Sequence, residues 1–290
     1  MPAVLRDGRV WLLAPLAIGT LLLVVIPALG TLALAFLHYD ALTPPRWAGL
    51  ENLARLANDP LFRIALSNSV TVALLAVPLR VALALGLALL LHAPRPGAPA
   101  ARAAVYLPTA VPDLAWALLW LWMLNPLYGP MAWLLQAAGL SPDIWLTDPA
   151  WARRAIVLML LFSVGEMVLV LIAARREVAT ELYELCAVEG ASRFHVFRRL
   201  TLPLLWPAIL FLACRDAALT LQSTFVPGLV VTNGGPNFAT TFLPMTIYQS
   251  GFEFLRFGYA AAQTLVMFGL TALMMLLQIL LLRRWARSGV

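Results

Sequence analysis

Five charged residues lie inside long apolar stretches of this sequence, namely Arg80, Asp113, Glu166, Arg215 and Asp216. A charge near the middle of a membrane-spanning helix costs at least ~2.5 kcal/mol unless it is paired or hydrated. These residues therefore predict a polar cavity within a helical bundle. Two interpretations stay open: the charged groups contact a solute, or arginines and carboxylates neutralise each other as buried ion pairs between helices.

Motifs for catalysis and for nucleotide binding do not occur in the sequence. A P-loop needs a lysine that reaches the terminal phosphates, and every one of the twenty basic residues here is arginine. The three histidines, His38, His92 and His195, occur singly on different connections, and no H-E-x-x-H or G-x-S-x-G is found. We therefore predict no catalytic residue, no metal ligand and no cofactor on this chain.

The elements that must position the charged residues are membrane-spanning helices. With 62% hydrophobic and 12% charged residues, a soluble domain of 290 residues would lack the polar surface to cover itself. Runs of about 20 apolar residues match a hydrocarbon core of ~30 Å. Six such runs predict one transmembrane domain over residues 1–290, with spans at about 11–37, 65–91, 103–124, 152–174, 204–226 and 259–282.

The arginines predict the orientation of the bundle through the positive-inside rule. Six of them fall on one side of the six spans: Arg46, Arg55, Arg63, Arg153, Arg154 and Arg256. Twelve fall on the other side: Arg6, Arg9, Arg95, Arg102, Arg175, Arg176, Arg193, Arg198, Arg199, Arg283, Arg284 and Arg287. Both termini and the connection 175–203 are therefore predicted to be cytoplasmic. Because the arginines flank apolar segments and form no continuous basic face, we predict no nucleic-acid partner despite the net charge of +6.

The connection 175–203 has a pattern of its own. Leu182, Leu185 and Val188 recur every three residues, which predicts a short amphipathic helix, and Gly190 interrupts it. A second apolar stripe follows, and Pro203 is expected to end the segment before the fifth span begins. An amphipathic helix lying on the lipid surface is the alternative, but acidic groups in this segment would be repelled by anionic lipid.

The same connection contains, in order, Glu184, Ala187, Glu189-Gly190-Ala191, Phe197 and Leu202-Pro203. This pattern resembles the cytoplasmic "EAA" loop of binding-protein-dependent ABC transporter permeases. Leu185 and Cys186 replace two alanines of that family, and Glu189 replaces an aspartate. Two further segments are similar to recurrent motifs of the carbohydrate branch of these permeases, the maltose and glycerol-phosphate type. They are Gly49-Leu50-Glu51-Asn52 and Thr232-Asn233-Gly234-Gly235-Pro236. The resemblance thus extends over most of the chain.

This resemblance implies an all-α transmembrane fold, a six-helix type I ABC importer permease with a cytoplasmic coupling-helix loop. It implies that a separate dimeric cytoplasmic ATPase binds ATP and Mg. It also implies that a second, homologous permease completes the pore and that an extracytoplasmic solute-binding protein delivers a sugar. The location implied is the cell inner membrane. The residues implied to couple to the ATPase are Glu184, Ala187, Glu189, Gly190, Ala191, Phe197, Leu202 and Pro203.

The fourth and fifth spans flank the coupling loop and, in sugar-transporting relatives, line the substrate site. Carboxylates accept hydrogen bonds from sugar hydroxyls, and aromatic rings cover the C–H face of a sugar. The candidate substrate contacts are Ser163, Glu166, Asp216, Leu219 and Thr220, with Asp113, Trp116 and Trp120 on the third span.

Two alternatives remain at this stage. A glycerophosphate-like solute would require Arg80 or Arg215 to face the cavity. A secondary transporter would couple to protons through Glu166 or Asp216, although no inverted repeat is apparent. A purely structural scaffold gives no reason for charges in the middle of the spans.

Overall fold

The computed structural model describes residues 13–287, and these residues are mostly helical. The first part of the chain contains α1 (Ala14–Leu34), α2 (Glu51–Asn58), α3 (Pro60–Leu91), α4 (Ala98–Ala110), α5 (Asp113–Met123), α6 (Pro130–Ala137) and α7 (Ile144–Thr147). The second part contains α8 (Pro149–Leu161), α9 (Gly165–Arg176), α10 (Thr180–Val188), α11 (Arg193–Val196), α12 (Leu202–Ser223), α13 (Phe225–Val230), α14 (Leu243–Tyr248) and α15 (Phe257–Arg287). Two short strands, β1 (Leu37–His38) and β2 (Arg46–Trp47), pair antiparallel between α1 and α2. The all-α fold class is confirmed.

The described residues contain four uninterrupted helices that are long and apolar enough to cross a membrane, and two bent helix pairs. The uninterrupted helices are Ala14–Leu34, Pro60–Leu91, Arg193–Val230 and Phe257–Leu281, which correspond to the first, second, fifth and sixth predicted spans. The bent pairs correspond to the third and fourth, so the number of spans reaches six when each pair counts as one. Predicted residues 11 and 12 of the first span lie outside the described residues.

The third predicted span is a sharply bent pair, in contrast to the single helix expected over 103–124. The α4 and α5 axes differ by 101°. Pro112 lacks an N–H group and disfavours the helical conformation of the residue before it, and Val111 is accordingly extended with ψ 131°. The chain restarts as a helix at Asp113, which places the first turn of α5 in the middle of the predicted span.

The fourth predicted span bends by 47° between α8 and α9. Gly165 begins α9 at this break, directly against the backbone of α4. A Cβ atom at Gly165 would lie 2.6 Å from the Cα of Tyr106 and 2.6 Å from the carbonyl oxygen of Val105. Backbone atoms of a packed helix cannot give way as the end of a flexible side chain can, so glycine is required for this approach.

Gly165→Ala is therefore expected to lower the thermal stability of the detergent-solubilised chain, by about 1–3 kcal/mol for an overpacked contact. Gly86→Ala in α3 is the matched control, because a Cβ there meets no atom within 4 Å and alanine is the better helix former. Equal unfolding temperatures for the two variants would contradict the proposed close approach of α4 and α9.

Pro203 lies inside a helix, whereas the sequence predicts that it ends the connection before the fifth span. The helical segment continues from Arg193 through α12, and only Thr224 separates α12 from α13, which ends at Val230. A π-helical turn over Phe197–Thr201 precedes the proline, and the Leu202 N–H donates to the carbonyl of Phe197. This wider turn lets the helix continue where a proline would otherwise remove a hydrogen bond and crowd the preceding turn.

The described residues cluster into two compact units. The smaller unit combines residues 13–60 with Thr246–Phe268, and the larger unit combines Leu61–Met245 with residues 269–287. In the smaller unit, the Asn52 side-chain amide donates to the carbonyls of Ala35 and Leu37 at 2.9 Å each, which fixes α2 to the end of α1. The larger unit contains two apolar clusters, one around Trp120 and Ile156 and one around Leu171 and Leu205.

Candidate functional site: a polar cavity and a projecting helical segment

The larger unit contains a cavity of about 360 Å³. Its walls come from α3, α12 and the two helix breaks, α4 to α5 and α8 to α9. Six of the eight predicted substrate contacts line it: Asp113, Trp116, Ser163, Glu166, Asp216 and Leu219. The breaks matter for this arrangement because each one brings a helix end, with its polar groups, to the level of the cavity.

Trp120 and Thr220, the other two predicted contacts, do not line the cavity. Both side chains are buried in the protein interior. The Trp120 ring packs edge-on against Trp116 and Phe162, with ring centroids 5.9 and 5.3 Å apart. One turn of helix thus separates Trp116 at the cavity from Trp120 in the apolar cluster, and Trp120 positions its neighbour.

Arg80 forms a buried ion pair with Asp216. The distance from Nη1 of Arg80 to Oδ1 of Asp216 is 2.6 Å, and both side chains are at least nine-tenths buried. The second terminal nitrogen, Nη2, donates to the carbonyl oxygen of Ser163 at 2.8 Å. One guanidinium therefore joins α3, α12 and the break between α8 and α9.

Arg215 forms a second ion pair, with Glu166, at 2.9 Å between Nη2 and Oε2. This pair joins α12 to the first turn of α9 and is much more open than the first, since 39% of the Arg215 side chain and 56% of the Glu166 side chain are exposed. The adjacent residues Arg215 and Asp216 thus bind different partners, as their ~100° separation on a helix allows.

Both pairings fit the ion-pair interpretation of the charges inside the spans. All four residues also line the cavity, so pairing and contact with a solute can share the same side chains. Solute contact by these residues stays a prediction. Among the described residues, no group of three or more His, Cys, Asp or Glu side chains could hold a metal ion.

Asp113 differs from the other cavity acids. It is exposed in the first turn of α5, directly after the 101° break. No ion pair or side-chain hydrogen bond holds its carboxylate among the described residues. The N-terminal end of a helix dipole stabilises a carboxylate at this position.

Thr109 and Gln222 also line the cavity, and the sequence analysis did not identify them. Gln222 follows Leu219 by three positions, so helical spacing from that residue indicates its place on the same face. Thr109 lies in the last, 3₁₀-helical turn of α4, between two prolines. Its position depends on the break, which hydropathy does not reveal.

The connection 175–203 forms the predicted helix, glycine and helix. α10 ends at Val188, Gly190 adopts a left-handed conformation with φ +71°, and α11 begins at Arg193. Such a φ is favourable for glycine and costly for other residues. The Ser192 side chain accepts a hydrogen bond from the His195 N–H and caps α11.

Two contacts fix α10 to the helices that flank it. The Tyr183 hydroxyl lies 3.1 Å from the Thr201 hydroxyl. The Arg175 guanidinium, at the end of α9, stacks over the Tyr183 ring with its carbon 3.7 Å from the ring centroid. These two contacts join α10 to α9 and to the helical turn that precedes α12.

The outer side of this segment is exposed. Of the eight residues predicted to couple to an ATPase, Glu184, Ala187, Glu189 and Gly190 are exposed, and Ala191, Phe197, Leu202 and Pro203 are partly buried. The exposed apolar side chains Leu185, Val188 and Phe194 accompany them, with Val188 86% and Phe194 70% exposed. We call Leu185, Val188 and Phe194 the apolar row. Exposed apolar side chains that form a contiguous patch mark surfaces that bind another protein or a membrane.

Residues 81–287 match the family of binding-protein-dependent transport system inner membrane components. The chain belongs to this family. The sulfoquinovosyl glycerol transport system permease protein SmoG of Agrobacterium fabrum is 33% identical over 90% of this chain and 86% of its own length. The trehalose/maltose transport system permease protein MalF of Thermococcus litoralis is 32% identical over 82% of this chain and 81% of its own length.

A solved structure supports the same fold. The permease superposes on a chain of a bacterial alginate ABC transporter, solved in complex with an alginate pentasaccharide-bound periplasmic protein, with a TM-score of 0.84. That match covers 99% of this chain and 98% of the other, at 24% identity. The expected type I ABC importer fold is confirmed.

Family membership has direct consequences for function. The chain is a multi-pass membrane permease subunit of an ABC importer and not an enzyme, and the ATPase of such an importer is a separate subunit. A permease of this family needs no cofactor of its own. Proton-coupled secondary transport and a purely structural scaffold are not the functions of this family.

Proposed function

We propose that this permease forms half of the translocation pathway for a sugar or oligosaccharide. The observation that carries the proposal is the cavity, where carboxylates, hydroxyl groups and one indole ring meet at two helix breaks. Carboxylates accept hydrogen bonds from sugar hydroxyls, and the Trp116 ring is suited to the C–H face of a sugar. The names of two relatives, which specify trehalose or maltose and sulfoquinovosyl glycerol, support the same class of solute.

The partners follow from the segment at 175–203. We propose that the apolar row and Glu184 rest on one subunit of a dimeric cytoplasmic ATPase, which binds ATP and Mg. Since this chain has one such segment and the ATPase is a dimer, a second, homologous permease completes the pathway. Closure of the ATPase dimer would then move α9 and α12 through the Tyr183 contacts.

The proposed location is the cell inner membrane, with both termini in the cytoplasm and one membrane domain of six spans. The cytoplasmic arginines that support this orientation include Arg95, Arg102, Arg175 and Arg176. Arg6 and Arg9 lie outside the described residues. An extracytoplasmic solute-binding protein would contact the opposite side, at loops 38–64 and 227–258.

The experiment is ATPase stimulation of the reconstituted complex, measured with its binding protein and a panel of neutral, amino and acidic sugars and of glycerophosphodiesters. We expect a sugar to stimulate hydrolysis, because sugar hydroxyls match the acceptors in the cavity. Stimulation by a glycerophosphodiester alone would replace the proposal with the phosphate alternative, and stimulation by no solute in the panel would contradict it.

Glu166→Gln supplies the test of the cavity in the same assay. We expect weaker stimulation and uptake with unchanged assembly, because the exposed Glu166–Arg215 pair contributes at most about 1 kcal/mol to stability. Asp143→Asn is the control, because Asp143 is a carboxylate outside both the cavity and the segment at 175–203. Equal kinetics for Glu166→Gln and the unmodified complex would assign Glu166 a structural role only.

A further inference from the structure

The charges that line the cavity do not cancel. Two arginines, Arg80 and Arg215, face three carboxylates, Asp113, Glu166 and Asp216, which leaves a formal charge of −1 among the described lining residues. We propose that this half of the pathway selects neutral or cationic sugars, such as amino sugars, against anionic ones. The proposal rests on the proposed function and specifies the class of sugar; this chain would then differ in selectivity from its relative SmoG, whose named solute carries a sulfonate group.

Both arginines are already paired with carboxylates of the protein. Arg80 is held by Asp216 and by the Ser163 carbonyl, and its remaining Nε is buried. Arg215 is held by Glu166. An anionic group on a solute that approached either arginine would meet the repulsion of the carboxylate already paired there, and at Arg80 it would have to displace Asp216. For the buried pair with Asp216, this exchange is especially unfavourable.

Asp113 supplies the uncompensated charge. It is exposed at the cavity, and no basic group pairs with it among the described residues. It lies at the 101° break, where a polar end of α5 replaces continuous apolar helix. Inside walls of low dielectric constant, a single charge of this kind acts over a longer distance than it would on an open surface.

The consequence for a solute is a difference in electrostatic energy during passage. A neutral sugar donates its hydroxyl hydrogens to the carboxylates and meets no repulsion. An ammonium group on a sugar is attracted to Asp113, whereas an acidic group is repelled by it. Because the cavity carries both signs with a net charge of −1, we expect an effect at the lower end, about tenfold, of the enhancement that clefts lined by one sign of charge produce.

The test measures the charge of the cavity without knowledge of the solute. In the assembled importer, Cys186→Ser and Cys214→Ser remove the two native thiols, and Ser163→Cys places one thiol in the cavity. Its reaction rates with a cationic and an anionic methanethiosulfonate reagent are compared with those of a free thiol in solution. We expect the ratio of cationic to anionic rates to exceed the solution ratio by about tenfold.

Asp113→Asn in that background isolates the contribution of this chain from that of the partner permease. We expect it to lower the rate ratio several-fold, while Asp143→Asn, the same change at an acid that does not line the cavity, leaves the ratio unchanged. Ser223→Cys, also on the cavity wall, repeats the measurement if Ser163→Cys disturbs assembly.

An anionic preference, an unchanged ratio in Asp113→Asn, or no reaction at either thiol would each overturn the proposal. These results are independent of the ATPase assay: a complex that imports a sugar with an uncharged or positive cavity would refute the charge selectivity and keep the proposed function.

Discussion

Replacing Arg80 with methionine is expected to lower the free energy of unfolding by about 3–5 kcal/mol, because the Asp216 carboxylate would stay buried without a counterion. The same change removes the hydrogen bond to the Ser163 carbonyl, which leaves the break between α8 and α9 without its contact to α3. The measurement is thermal or denaturant unfolding of the purified permease in detergent, followed by the yield of assembled complex.

The double variant Arg80→Met with Asp216→Leu separates pairing from packing. If the loss comes from the unpaired carboxylate, apolar replacement of both partners restores most of the stability, since a buried ion pair can be replaced by packed apolar side chains at little net cost. Arg215→Met is the control, and the exposed Arg215–Glu166 pair predicts a loss below about 1 kcal/mol. Equal losses for Arg80→Met and Arg215→Met would show that burial of the first pair has no energetic role.

Phe194→Ala is expected to weaken binding of the ATPase subunit by about 2 kcal/mol, or roughly 30-fold, as for a central aromatic side chain of an interface. Phe194 belongs to the apolar row, and 70% of its side chain is exposed in the isolated permease. The measurement is the dissociation constant between the detergent-solubilised permease pair and the ATPase dimer.

Phe211→Ala provides the matched control for Phe194→Ala. Phe211 lies in α12 and is 61% exposed, but it is outside the segment at 175–203. We expect its substitution to leave the affinity unchanged. If both alanine variants bind the ATPase equally well, or if Phe194→Ala binds as the unmodified protein does, the apolar row is not the docking surface.

Hydropathy predicted the long helices of this fold well. The span expected at 65–91 lies within Pro60–Leu91, and the span expected at 259–282 lies within α15. The bend after α4 was not predictable in size, because apolar composition is the same for a straight and a bent segment. Proline indicates that a helix is interrupted near Pro112, but the 101° angle depends on the helices packed around it.

The sequence predicts which charged residues form the site but not which of them pair with each other. The sequence identifies Arg80 and Asp216 as charges inside spans, but 136 positions separate them and no local pattern shows that their helices are neighbours. The segment around Gly190 was easier, because its conformation depends on local features: a short apolar repeat, a residue with positive φ and a capping serine. Pro203 shows the limit of such local rules, since a π-helical turn accommodates it.

The helical segment that runs from Arg193 through α12 fixes the position of Asp216 both along and around the helix axis. Asp216 lies roughly 35 Å along the axis from Arg193 at ~1.5 Å per residue, and each added residue would turn everything beyond it by ~100°. A single insertion would thus swing Arg215 and Asp216 away from their partners while leaving every side chain chemically intact. Substitutions along this helical segment keep the phase of its side chains. We expect an insertion or deletion to be tolerated only where a π-helical turn, such as Phe197–Thr201, absorbs the change in phase.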